Sequence, residues 1–324
     1  MDRDATPSER LDFDLRLLMA EHPPVLRNEN KRIVFGIACP PGCLHEGRLT
    51  YSRWEPLPLP AHVSPAAAME RAESREGVYD YAPSLPGSVE WHVNFADPDL
   101  FFGYVSGLFA QDEIQVAEHP SLGALREALI AGGSAPRTDE NDRPTPVLVM
   151  GAPRRCRVTT DPDLEQPRGL YGNAFAAASP EAVRRATTRI DPPTVSNLIA
   201  IAAPTGCGRY TVRQIERVLT TACTGFRAAV LQSGGSSTVV HTGFWGCGAF
   251  GGNRELMAML QVLAAGMAEV DRLVFHTVRH PGNDVFARAL ERIGAIFPEK
   301  SIERRILANR IAAMNFEWGI SDGN

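Results

Sequence analysis

Two stretches of this 324-residue chain carry residue types that could do chemistry. In Gln111-Asp112-Glu113-Ile114 two carboxylates stand side by side where a loop opens into a short helix. Taken alone, such a pair reads as a solvated helix N-terminus stabilised by the macrodipole. The second stretch is Thr242-Gly-Phe-Trp-Gly-Cys-Gly-Ala-Phe-Gly-Gly-Asn253, with five glycines. Glycine accepts positive φ and lets a ligand approach bare backbone, and Asn253 is a good helix N-cap. Strand, glycine-rich turn and helix N-terminus suit a phosphate or another anion; a loop that only turns a corner has the same look. The spacing is neither the Rossmann nor the Walker pattern. Trp245 and Phe250 suggest packing against a flat ring or a sugar.

The elements around these stretches read as alternating strands and helices. Val89–Ala96 alternates and is rich in β-favouring residues, so a strand delivers the chain towards Asp112 and Glu113. Residues 121–131 suggest a helix, 132–146 a polar linker, and Val147-Leu-Val-Met-Gly a buried strand. Residues 196–203 read as another strand, and 211–224 as a helix. Ala228-Ala-Val-Leu-Gln looks like a buried strand before the glycine-rich loop. After the loop, Leu256, Met259, Leu260, Leu263, Ala264 and Met267 make one apolar helix face. Strand 272–278, with His276, helix 283–293 and a last helix 301–318 follow. Nearer the N-terminus, 9–21 reads as an amphipathic helix, Ile33-Val-Phe-Gly-Ile as a short strand and 65–75 as a helix inside an irregular covering layer. Such alternation points to an α/β sheet covered on both faces.

Composition narrows the function classes. The chain is 44% hydrophobic and 22% charged with a net charge of −5, so no basic stripe argues for nucleic acid. No apolar run reaches membrane-spanning length and the charged N-terminus has no secretory h-region, so a cytoplasmic protein without a membrane partner is expected. The six scattered cysteines form no disulfide framework. Cys39-Pro-Pro-Gly-Cys43 with His45 lacks a second ligand pair, so no metal and no cofactor are expected.

The glycine-rich stretch is similar to the second ligand-binding loop of the poly(ADP-ribose) glycohydrolases, TGNWGCGAFGGD. Phe244 stands for Asn and Asn253 for Asp. From Val93 to Ile114 the chain also resembles that family's first loop, roughly VDFAN…GGG…QEE-I, through Val93, Phe95, Ala96, Gly103, Gln111, Glu113 and Ile114. The resemblance implies a macrodomain-like mixed α/β sheet sandwiched by helices over 81–324. Residues 1–80 would form a mainly helical extension packed on it. It implies a glycosidase in which Glu113 protonates the leaving oxygen of a ribosyl bond while Asp112 and Asn94 assist at the ribose. Phe95, Asp97 and Gln111 would line the substrate. So would Thr242, Gly243, Phe244, Trp245, Gly246, Cys247, Gly248, Ala249, Phe250 and Gly251. Tyr171, in a glycine-flanked loop, is the counterpart of an adenine-stacking residue or a packing residue.

Departures from the family pattern are concentrated in the first loop. Phe101-Phe102-Gly103 replaces the triple glycine, Asn94 replaces Asp, Asp97 replaces Asn, and Asp112 shortens the first Glu. Phe101 and Phe102 fall where backbone would approach a diphosphate. The expected substrate is therefore a small ADP-ribose-like or nucleoside conjugate rather than the polymer. The alternative is a nucleotide-binding module without turnover.

Overall fold

The computed structural model describes residues 4–83, 85–278, 280–321 and 323. The chain opens with β1 (Glu9–Asp14), α1 (Leu15–Glu21), α2 (Glu29–Ala38) and β2 (Arg48–Arg53). Short β3 (His62–Val63), α3 (Pro65–Glu70) and β4 (Ala72–Arg75) lead to β5 (Val89–Ala96). Helices α4 (Gln111–Glu118) and α5 (Ser121–Ala131) follow, then the small hairpin β6 (Asp139–Glu140) and β7 (Arg143–Pro144). Next come β8 (Val147–Val158), α6 (Pro180–Ala186), β9 (Thr187–Ala202), α7 (Val212–Gln232) and β10 (Thr238–Thr242). The chain closes with α8 (Arg254–Ala268), β11 (Arg272–His276), α9 (His280–Ile296), β12 (Ile302–Glu303) and α10 (Arg304–Ala313).

Eight strands make one mixed sheet in the order β1-β2-β8-β9-β5-β10-β11-β4. From β9 to β4 neighbours run parallel, and from β1 to β9 antiparallel. One face packs Trp91, Val93, Val240 and Phe275 against α7 and α8 in the main core. The other packs Ala96, Val149, Leu198 and Ala200 with residues of α1, α4 and α5. The expected α/β sandwich is present. Among the described residues no helix is long and apolar enough to cross a membrane.

Several local expectations are corrected. Residues 9–14 form a strand because their exposure alternates with period two, and Asp14 then caps α1 by accepting from Arg16 and Leu17 amides. Residues 33–37 lie inside α2, capped by Asn28, where Lys31, Val34 and Ala38 share a buried face. The helix at 65–75 stops at Glu70, and 72–75 joins the sheet beside β11. The first 80 residues thus supply three strands of the sheet rather than a mainly helical cover. Ala228–Gln232 is the last turn of α7, not a strand; a run of four apolar residues cannot by itself distinguish a buried helix from a buried strand. The linker 132–146 contains the β6–β7 hairpin. The last helix ends at Ala313, and Trp318 sits in a tail, stacked on Tyr210 with ring centroids 4.1 Å apart.

Candidate active site

The carboxyl ends of β5 and β10 place the two candidate stretches at one edge of the sheet, the usual ligand-binding edge of an open α/β sheet. Strand β5 pairs with β10 only as far as His92 opposite His241. Beyond that point the Phe95 amide donates to Gln111 Oε1 at 2.7 Å, and Gln111 Nε2 donates to the Val93 carbonyl at 3.1 Å. Gln111 therefore pins the start of α4 to the strand end, a structural use of a residue expected to line substrate. The Phe95 ring lies against Gly243 of the second loop.

Glu113 is buried in the first turn of α4, and its Oε2 accepts from the Ala110 amide at 3.0 Å. A Cβ built on Gly103 would land on the Glu113 carboxylate, so glycine lets this loop close over Glu113 without displacing its side chain. Burial raises the Glu113 pKa, and the opposing pull comes first from Lys31. Asp112 is also buried, and its pKa is pushed up to about 8 by burial and then by the Glu113 charge. Asn94 Nδ2 donates to Asp112 Oδ1 at 3.0 Å and to Gln115 Oε1 at 2.9 Å. Asn94 is fully enclosed, so its bonds hold Asp112 rather than a ribose. Asp97, half-buried, caps its own turn by accepting from the Asp99 amide at 2.8 Å.

The two aromatics of the rebuilt loop go separate ways. Phe101, with φ of 58°, is fully enclosed in the core beside α4 and α5 and faces no ligand. Phe102 is 58% exposed, with the Arg126 guanidinium over its ring at 5.8 Å.

The second loop is held from inside. Trp245 is fully buried and donates its Nε1–H to the Ile201 carbonyl at 2.9 Å, so it anchors the loop instead of stacking on a ligand. Thr242 is buried against Gln261, whose Nε2 donates to the Gly243 carbonyl at 3.0 Å. Gly246, at φ of 73°, presses on Ala203 with no space for a Cβ. The Cys247 thiol is pushed up to about 12 by burial. Gly248 is half-buried, Ala249 is exposed, and Phe250 is half-buried against the main core. Asn253 caps α8 as expected, accepting from the Leu256 amide at 3.1 Å. Gly251 lies beneath the C-terminal tail, whose Gly319 amide donates to the Gly251 carbonyl at 2.7 Å. The same tail reaches the Tyr171 loop, where Asn173 Nδ2 donates to the Gly323 carbonyl at 2.9 Å. Tyr171 itself is 43% exposed.

Several neighbours of the site were not singled out from the sequence. Lys31, one of only two lysines in the chain, is buried beneath the first loop and donates from Nζ to the Tyr104 carbonyl at 3.1 Å. Burial lowers its pKa to about 8 against the raising influence of Glu113 and Asp112. Arg254, exposed at the start of α8, places its guanidinium 5.3 Å from the centre of the Phe244 ring.

A polar seam also runs across the α4 face of the sheet. His241 Nε2 donates to Glu90 Oε2 at 2.6 Å, which leaves Nδ1 to accept from His276 Nε2 at 3.0 Å. His92 stacks on His241 at 4.4 Å, and Tyr79 and Tyr81 close over it. Burial holds His276 down to about 4 and His119 to about 3, so both rings are neutral. The polar side of Glu90, His92 and Asn94 was visible as alternation in the sequence. Its partners on β10 and β11 required the register.

Residues 171–283 match the poly(ADP-ribose) glycohydrolase family, macro domain fold, a span that holds Tyr171 and the whole second loop. Over that span the chain is similar to the macro domain of that family. The glycohydrolase from Thermomonospora curvata is 17% identical and superposes over 80% of this chain and 98% of its own, with a TM-score of 0.51. That likeness shows the macrodomain fold. The Deinococcus radiodurans glycohydrolase in complex with ADP-ribose, 17% identical over 71% of this chain and 90% of that one, superposes more loosely, at 0.42. The first loop, with Glu113, lies outside the matched residues.

Proposed function

We propose that this glycohydrolase-type macrodomain is a glycosidase that cleaves a ribosyl glycosidic bond in ADP-ribose or a related nucleotide or nucleoside conjugate. Glu113 is the general acid of this reading. The observation that carries it is the enclosed Glu113 carboxyl, raised in pKa, lying where a side chain at position 103 would collide with it. A carboxyl that keeps its proton near neutral pH can give it to the leaving oxygen or nitrogen as the ribosyl C–O or C–N bond breaks. The ribose then carries oxocarbenium character until water adds, and the water's proton returns to the carboxylate. Asp112, its pKa pushed up to about 8, adds little negative charge that would oppose proton donation. Lys31 holds the first loop over the acid through the Tyr104 carbonyl. The start of α8 with Arg254 suits the anionic part of the substrate, since a helix N-terminus and a guanidinium both favour negative charge.

Phe102 projects where a polymer-binding loop would offer bare backbone, which favours a small conjugate as substrate. The same exposed ring, with the tail over Gly251, favours a second reading, a nucleotide-binding module without turnover. Ribosyl release and calorimetric binding of ADP-ribose, measured on the native chain and on Glu113→Gln, separate the two. The glycosidase reading expects Glu113→Gln to bind equally well and to release product about 10²–10⁴-fold more slowly. Undiminished release by Glu113→Gln removes Glu113 from the mechanism. Binding with no release by either protein leaves the binding module.

A further inference from the structure

Away from the sheet edge, the segment joining α2 to β2 gathers three soft donors. Cys39 is the C-cap of α2. Cys43 follows after Pro40, Pro41 and Gly42, and His45 two residues later. Single ligand atoms of Cys39, Cys43 and His45 all lie within 4.8 Å of one another, and Cys43 Sγ is 3.4 Å from His45 Nε2. The Cys43–His45 spacing is close to the edge of a tetrahedron with Zn–S near 2.3 Å and Zn–N near 2.0 Å. We propose that Cys39, Cys43 and His45 form a divalent-cation site of zinc type, with two thiolates and one imidazole as ligands.

The backbone prearranges the three. Pro41 fixes φ at the second position of a turn and Gly42 takes φ of 79° at the third, the signature of a type II turn. The Cys43 amide closes that turn on the Pro40 carbonyl at 3.0 Å. Arg155, from β8, clamps the far side by donating from Nη2 to the Leu44 carbonyl at 2.5 Å. A site that is ordered before the ion arrives loses less conformational entropy on binding. The end of α2 also presents its carbonyl pole, which favours a cation. The Arg155 charge works against the cation but favours both thiolates, and two thiolates neutralise Zn²⁺. Binding releases the two thiol protons and changes no oxidation state.

All three donors are half-buried, and among the described residues the cluster has three members. The fourth position is left for water or an external donor. Two-thiolate coordination selects zinc over the hard oxygen-seeking cations. The sequence set His45 beside the cysteine pair; the fold adds that the three ligand atoms converge. Such an ion would tie the end of α2, the helix that carries Lys31, to the start of β2.

The test uses the full chain, reduced and stripped of metal. It is titrated with Zn²⁺ alone against a chromophoric chelator, and with Co²⁺ alone while absorption is recorded. One equivalent should bind, and the cobalt form should show a near-ultraviolet thiolate charge-transfer band. Cys43→Ser and His45→Gln, both in a surface loop, should each weaken zinc by more than the ~10–100-fold that loss of a supporting contact costs. Cys207→Ser, which removes an exposed thiol elsewhere, should bind as the native chain does. No uptake by the reduced protein, or a cobalt band unchanged in both Cys43→Ser and His45→Gln, overturns the assignment.

Discussion

The two loops at the sheet edge make opposite use of their glycines. The second loop keeps every glycine of its motif and is held from behind by Trp245 and Gln261, so its backbone path is fixed by the core. The first loop keeps only Gly103, the one position where a side chain would collide with the acid. At Phe101 the loop keeps a left-handed φ while the ring fills the core, and at Phe102 the ring turns to solvent. Glycine is thus indispensable where another group already occupies the Cβ position. Elsewhere a large side chain can be absorbed, at the cost of backbone strain. The comparison also explains why a loop can change its ligand-facing surface while the carboxylate beneath it stays in place.

Substitutions can break or sharpen that contrast. Gly246→Ala should be the most damaging. Its positive φ costs about 1–2 kcal/mol, and the crowding against Ala203 adds roughly 1–3 kcal/mol, read as a lower denaturation midpoint. In the first loop Phe101→Gly trades a cavity of about 3–5 kcal/mol against relief of about 1–2 kcal/mol of left-handed strain. A net loss of about 1–4 kcal/mol in chemical denaturation is expected; a more stable variant would mean the ring is not part of the core. Gly103→Ala should reach the same scale through the chemistry. Moving the Glu113 carboxylate by about 1 Å is expected to slow ribosyl release about 100-fold, with ADP-ribose binding changed far less.

The buried carboxylates give a pH signature. Asp112 ordinarily titrates near 3.8 and is pushed up to about 8 in the folded chain. Between those values the native state holds a proton that the unfolded chain has released. Stability therefore falls as pH rises through this window, by up to about 1.4 kcal/mol per pH unit for one proton. The neutral, buried His119 and His276 act in the opposite sense as pH falls below 6.5. Asp112→Asn should remove the carboxylate part alone, and equal slopes in native and variant melting profiles from pH 4 to 8 would refute the shift. Phe102→Gly closes the series, with a stability change under about 1 kcal/mol because the ring is exposed.

By itself the sequence determined what is local or periodic. The alternation of Val89–Ala96, the apolar face of α8, its Asn253 cap and the glycine spacing of 242–253 each depend on neighbours within a few residues, and each stands as expected. The proposed acid, Glu113, could be singled out because its motif is contiguous, and the fold buries it. Short segments with ambiguous patterns were not: 9–14 and 228–232 exchanged strand for helix because a neighbouring sheet edge or a long helix decides their state. Only the tertiary structure placed Lys31 against the carboxylates, aligned Glu90, His92, His241 and His276 across three strands, and laid the tail over Gly251. It also decided which way Phe101 and Trp245 point. Those outcomes depend on strand register and on which space the core leaves unfilled, and both are set by contacts between residues far apart in the chain.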